Sequence, residues 1–97
     1  MFAVCVSFEI HRSDFKSFLE KMATQAETSL SLEPGCHRFD VCHDGQAQVF
    51  LYELYTDAAA FNEHLASAHF KAFDVAVSPM VAAKSVQTFE NVAVGSD

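Results

Sequence analysis

An α+β fold, with helices on one face of a four-stranded antiparallel sheet, is what these 97 residues predict. Stretches of alternating polar and apolar residues recur along the chain, separated by segments whose apolar residues repeat at helical spacing. Their order is β-α-β-β-α-β, and the segments between them carry clear turn and cap residues.

The first strand runs from Phe2 to Ile10, with Val4, Val6, Phe8 and Ile10 on one face and Ala3, Cys5, Ser7 and Glu9 on the other. Ser13 or Asp14 is the expected N-cap of a helix. Phe15, Phe18, Leu19, Met22, Ala23, Ala26 and Leu30 give that helix an apolar stripe. Glu33-Pro34-Gly35 stops it, because proline cannot continue a helix and glycine takes the turn. Cys36 to His43 is the second strand, Asp44-Gly45 a hairpin signal, and Gln48 to Tyr55 the third strand. Thr56 or Asp57 caps a second helix that starts at Ala58. Ser67 reads as a fresh N-cap, so a break is expected there, with helix resuming to about Val77 before Ser78-Pro79. Lys84 to Val92 is the fourth strand, and Ala93 to Asp97 is a tail expected to fray. The pattern is the split unit of ferredoxin-like folds, read as a single domain over residues 1–97, without a linker or an internal repeat.

Composition narrows the function. Hydrophobic residues make up 51%, with ten Phe but only three Gly and two Pro, which excludes collagen-like and disordered chains. Lys and Arg number 6 against 13 Asp and Glu, a net charge of −7, so nucleic acid and anionic lipid are poor partners. No apolar run approaches the roughly 20 residues that cross a bilayer. The N-terminus lacks the basic start of a signal peptide, so a cytoplasmic protein is expected. Three cysteines, an odd number, argue for reduced thiols over a disulfide framework.

Two helices cover one face of such a sheet, yet both faces of the third strand are apolar. Val49, Leu51, Glu53 and Tyr55 alternate with Phe50, Tyr52 and Leu54. An exposed apolar face of that size exceeds what monomers usually tolerate, so a homodimer packed sheet to sheet is expected.

The five histidines raise the question of a metal. Cys36-His37 and Cys42-His43 share one strand, and at about 3.3 Å per residue matching donors lie roughly 20 Å apart, too far for one zinc. No metal site is expected from them. His64 and His69 differ by five positions, about 140° on an unbroken helix. A break near Ser67 lifts that restriction and lets both imidazoles face one cleft, where a desolvated histidine is suited to taking a proton. The alternative is a core-edge histidine and a cap. Glu53, alone on an apolar strand, must be paired, hydrogen-bonded or protonated, with Arg38 and Lys84 as possible partners and a pocket or an interface as its setting. Tyr52 and Tyr55 are candidates for an aromatic pocket wall, and Arg38 and Asp40 for a pair with a partner subunit. There is no Gly-x-Ser-x-Gly elbow, and with glycines only at 35, 45 and 95 no phosphate-cradling loop can be written.

Glu33-Pro34-Gly35-Cys36, Arg38-Phe39-Asp40-Val41, Leu51-Tyr52-Glu53-Leu54-Tyr55, Phe61-x-x-His64 and His69-Phe70 together resemble the antibiotic biosynthesis monooxygenase (ABM) domain of the dimeric α+β barrel superfamily. The likeness runs from the first strand to the fourth. It implies a homodimer with a pocket between sheet and helices, where O₂ oxidises a small phenol or quinol without metal or prosthetic group. His64 and His69 match the family's helix histidines and carry the implied catalytic roles. Glu53, Tyr55, Tyr52 and Arg38, singled out above, are the expected substrate-binding residues. The Arg-Phe-Asp-Val and Tyr-Glu-x-Tyr stretches are also similar to an isomerase of a phosphorylated quorum-sensing dione, in which the same histidines would shuttle a proton. The haem-degrading branch fits less well: His64 falls where it uses tryptophan and Asp74 where it uses its iron ligand. A third expectation is a small-ligand-binding, stress-type dimer without a reaction, since this fold does not settle chemistry.

Overall fold

A computed structural model describes residues 1–95. Strand β1 is Phe2–Ile10, and a single 3₁₀ turn at Arg12–Asp14 leads into helix α1, Phe15–Leu32. Strands β2 (Cys36–His43) and β3 (Gln48–Tyr55) form a hairpin. Helices α2 (Ala58–Ala66) and α3 (Ala68–Val77) follow, then a 3₁₀ turn at Ser78–Met80 and strand β4, Val81–Phe89. The strands lie in the order β2-β3-β1-β4, every neighbouring pair antiparallel. This is the α+β ferredoxin-like arrangement expected, with the second crossover divided into two helices.

Local chemistry explains most of the boundaries. At the hairpin, Gly45 takes φ 78°, and Asp44 Oδ1 accepts from the backbone N–H groups of Gln46, Ala47 and Gln48. Those bonds favour the charged carboxylate and hold the Asp44 pKa below its ordinary value. Asp57 caps α2 by accepting from the Ala60 N–H at 2.9 Å. The fourth strand begins and ends earlier than the sequence suggested. His11 N–H donates to Met80 O, which seats the chain beside the end of β1 by residue 81, and Phe89 pairs with Ala3, where β1 runs out.

The core lies between the sheet and α1. Val4, Val6, Phe8 and Ile10 of β1 and Val49, Leu51 and Tyr55 of β3 meet Phe15, Phe18 and Met22, with Phe8 and Phe18 edge to face at 5.2 Å. The buried stripe of α1 differs from the expected one in its second half. Gln25 and Ser29 are buried, whereas Leu30 is 45% exposed. Stepping from Phe18 through Met22 and Gln25 to Ser29 follows the 3.6-residue period, and Leu30 lies about 100° further round.

The other sheet face carries Phe50, Tyr52 and Leu54 of β3, Cys5 of β1 and Phe89 of β4. Phe50 is 41% and Phe89 45% exposed, so an apolar surface remains open to water on this chain. Among the described residues no helix is long and apolar enough to cross a membrane.

Candidate functional site

Three elements deliver the polar groups of the site to one place. Glu33 closes α1, its N–H donating to Ser29 O, and the Pro34-Gly35 turn then carries the chain into β2. Gly35 is required there because a Cβ on it would stand 2.6 Å from the Ala60 Cβ, so its absence lets α2 settle over the turn. His64 lies in the last turn of α2. Ser67 then breaks the helix with extended backbone, its Oγ donating to His64 O at 2.7 Å and accepting from Phe70 N–H at 3.2 Å. This local cap turns His69, in the first turn of α3, back toward His64, with ring centroids 5.9 Å apart.

Glu33 sits between the two imidazoles. His64 Nδ1 lies 2.9 Å from Glu33 Oε2 and 3.1 Å from Oε1. His69 Nε2 is 2.8 Å from the same Oε2, but off the direction a hydrogen bond needs, so this buried nitrogen has a close ionic neighbour and no hydrogen-bond partner. On its other side, His69 Nδ1 faces the Gln25 amide, 3.1 Å from Nε2 and 3.4 Å from Oε1, and Gln25 in turn reaches Ser29. The amide offers a donor and an acceptor, so either tautomer of His69 is accommodated.

Burial sets the protonation of His64. The ring is 3% exposed, with Phe70 at 4.9 Å, Tyr55 at 5.6 Å and Phe61 stacked at 6.2 Å. Desolvation lowers its pKa below 6.5 even though Glu33 pulls the other way. A neutral ring that donates from Nδ1 to a carboxylate keeps its lone pair on Nε2. The hydrogen bonds that His64 makes through its ring among the described residues run through Nδ1, and the residue lines the cavity.

The cavity, about 350 Å³, lies between the sheet and the helices, with Val81, Lys84 and Val86 of β4 in its lining. Its wall is apolar: Val4, Val6, Phe8, Met22, Phe39, Leu51, Phe61, Phe70 and Phe73 dominate. Glu53 enters from the sheet, 3% exposed, and its Oε1 accepts from the Tyr55 hydroxyl at 2.6 Å. Burial pushes the Glu53 pKa up to about 7, helped by the charge of Glu33 and opposed by Tyr55 and Lys84. Lys84 stands at the rim, its Nζ 5.5 Å from the Phe8 ring centre. The Tyr55 phenol is held far above its ordinary pKa by burial and by Glu53, and burial raises Cys36 to about 11, leaving it a thiol at neutral pH.

The family's sequence pattern, antibiotic biosynthesis monooxygenase, matches residues 1–75. The chain belongs to the antibiotic biosynthesis monooxygenase family. Solved structures agree on the fold. A candidate antibiotic biosynthesis monooxygenase from Nitrosomonas europaea superposes with a TM-score of 0.87 at 23% identity, over 96% of this chain and 100% of that one. A protein from Mycobacterium tuberculosis gives 0.85 at 20% identity, over 98% of each chain. A conserved protein from Methanosarcina mazei gives 0.86 at 17% identity, over 94% of this chain and 92% of that one. No curated protein matches the chain.

Within this ABM chain the candidate residues separate into three groups. His64 and Glu53 line the cavity, with Tyr55 fully buried behind Glu53. His69 does not share the cleft as the helix break suggested; it stands behind His64, on Glu33 and Gln25. Tyr52 and Arg38 are on the opposite sheet face, because they alternate with Glu53 and Phe39 along their strands. Arg38 Nε meets Asp40 Oδ2 at 2.6 Å within the chain, on the sheet face opposite Glu53. Two residues escaped the sequence reading. In the sequence Glu33 reads as part of a helix stop and of the family motif, and Gln25 lies on a stripe that reads as apolar. The signal for Gln25 and Ser29 was their place on the 3.6-residue period from Phe18.

Proposed function

We propose that this protein is a cofactor-independent monooxygenase of a small phenolic or quinol substrate, with His64 as the base. The observation that carries this is the Glu33–His64 pair: a carboxylate fixes Nδ1 of a residue that lines an apolar cavity. An imidazole so oriented is a better base than a free one, since the carboxylate also stabilises the imidazolium once it forms. His64 Nε2 takes the phenol proton, and the resulting phenolate is electron-rich enough to pass an electron to O₂. Recombination of the radical pair forms a carbon–oxygen bond and a peroxide. Loss of water then leaves a quinone, with one oxygen atom in the product and one in the water, all four electrons coming from the substrate. The protein supplies orientation, a dry wall and a place for the proton.

Glu53, Tyr55 and Lys84 position the substrate in this reading, and His69 supports Glu33. A cavity of about 350 Å³ lies within the size range of sites for small organic ligands. The apolar outer face around Phe50, Tyr52, Leu54 and Phe89 is assigned to a second copy of the chain. Isomerisation of a phosphorylated dione fits less well, because Lys84 is the one cation among the described residues lining the cavity, against Glu53 and Asp74. Oxygen-electrode turnover with a panel of naphthoquinols tests the proposal. His64→Ala should abolish the catalysed rate, and unchanged turnover in that variant would remove His64 from the role of base.

A further inference from the structure

We propose that Glu33, His64 and His69 form a binding site for a divalent transition metal of the zinc type. A Glu–His–His donor set is among the combinations zinc takes when it keeps an open position. Here one ligand atom from each residue lies within 4.8 Å of the others, and His64 Nδ1 and His69 Nε2 are 2.9 and 2.8 Å from Glu33 Oε2. The set is assembled by the fold from the end of α1, the end of α2 and the start of α3, and the break at Ser67 creates it.

Two further features point to a cation. His69 Nε2 is buried and lacks a hydrogen-bond partner although it touches a carboxylate oxygen, which is the situation a shared metal ion resolves. Gln25 meanwhile engages His69 Nδ1, the outer contact that fixes the orientation of a ligating imidazole and leaves Nε2 for the metal. Neighbouring donors on a tetrahedral zinc stand about 3.3 Å apart. The carboxylate is 2.8 and 2.9 Å from the two ring nitrogens, so admitting the ion lengthens these two contacts slightly and brings the two imidazoles toward each other.

The binding inference does not depend on the reaction proposed above. Its consequence for activity does. A metal on His64 Nδ1 places the ring proton on Nε2, so the ring can no longer accept a proton from the cavity. Bound metal therefore gives the enzyme an off state.

The test is calorimetric titration of the chelator-dialysed protein with zinc chloride, and absorption of its cobalt form. One site is expected, with weakening of at least about tenfold in Glu33→Gln and in His69→Gln, and visible cobalt bands without sulfur charge transfer. Absence of binding, undiminished binding in both variants, or a thiolate band from Cys36 or Cys42 would each overturn the proposal. Should a variant fail to fold, as judged by circular dichroism, the wild-type cobalt spectrum still decides, because nitrogen and oxygen donors are distinguished from sulfur there. Neither readout involves turnover, so a failed metal site and a failed base assignment are seen separately.

Discussion

Replacing Glu53 with glutamine should make the protein more stable in mild alkali and leave it nearly unchanged in mild acid. Glu53 is buried against Tyr55, and its pKa rises from the ordinary 4.5 to about 7 in the folded chain. At about 1.4 kcal/mol per pH unit, that gap makes the ionised side chain about 3 kcal/mol costlier in the fold than in the unfolded chain. The sign is opposite to that of a salt-bridged carboxylate. The folded state holds the proton more tightly, so stability falls as pH rises from about 4.5 through about 7 and levels off beyond. Glutamine keeps the size and an oxygen for the Tyr55 hydroxyl while removing the charge. Urea unfolding of wild type and Glu53→Gln, followed by circular dichroism at one protein concentration, measures the difference. At pH 8 the variant should gain up to about 3 kcal/mol, less what its amide loses for want of a partner. Near pH 4, below both pKa values, the two should nearly coincide. His64, whose pKa burial lowers, destabilises the fold on the acid side in both proteins and cancels in the comparison. Parallel stability curves across this range would refute the argument that Glu53 is desolvated in the fold.

The remaining predictions address orientation, packing and assembly. Glu33→Gln should lower kcat by about 100-fold or more with little change in KM, because the His64 ring loses the partner that fixes its tautomer; an oxygen electrode reads this. Gly35→Ala should destabilise the fold by about 1–3 kcal/mol in urea, since the added methyl meets the Ala60 Cβ and must push α2 away. Phe50→Asp should convert a homodimer into single chains in sedimentation, by placing a charge in the apolar sheet face; wild type that sediments as a single chain would count against the assembly itself.

The sequence made the fold legible because its signals are local. Alternation in β1 and β3, the Pro34-Gly35 stop, the Asp44-Gly45 turn and the caps at Asp57 and Ser67 each act within a few residues. The end of β4 was misread because it depends on where β1 runs out, a property of pairing and not of the β4 residues. The site was half legible. His64 and Glu53 stood out as polar groups on apolar faces, and the helix break was readable from Ser67. The joining of Glu33 to both histidines was not, since it spans 31 residues to His64 and depends on how closely α2 packs at Gly35. Arg38 and Tyr52 entered as site candidates through a motif that includes both faces of a strand, and strand geometry sends alternate residues to opposite sides.

Charge explains why the two cavity residues need different environments. A phenolate formed beside two ionised carboxylates would be repelled in a medium where such forces are poorly screened. In the proposed reaction, proton transfer to His64 removes one of those repulsions, because the imidazolium and Glu33, 2.9 Å apart, then form a neutral pair. The other is removed only while Glu53 holds its proton, which burial favours below about pH 7. In that form its hydroxyl is a donor beside the substrate, as the ionised form is not. In that proposal Lys84 at the rim is the cation left to act on the substrate anion, in a chain whose net charge of −7 gives an anion no general attraction. If the proposed reaction holds, turnover is therefore confined to the pH range in which Glu53 is neutral and His64 unprotonated.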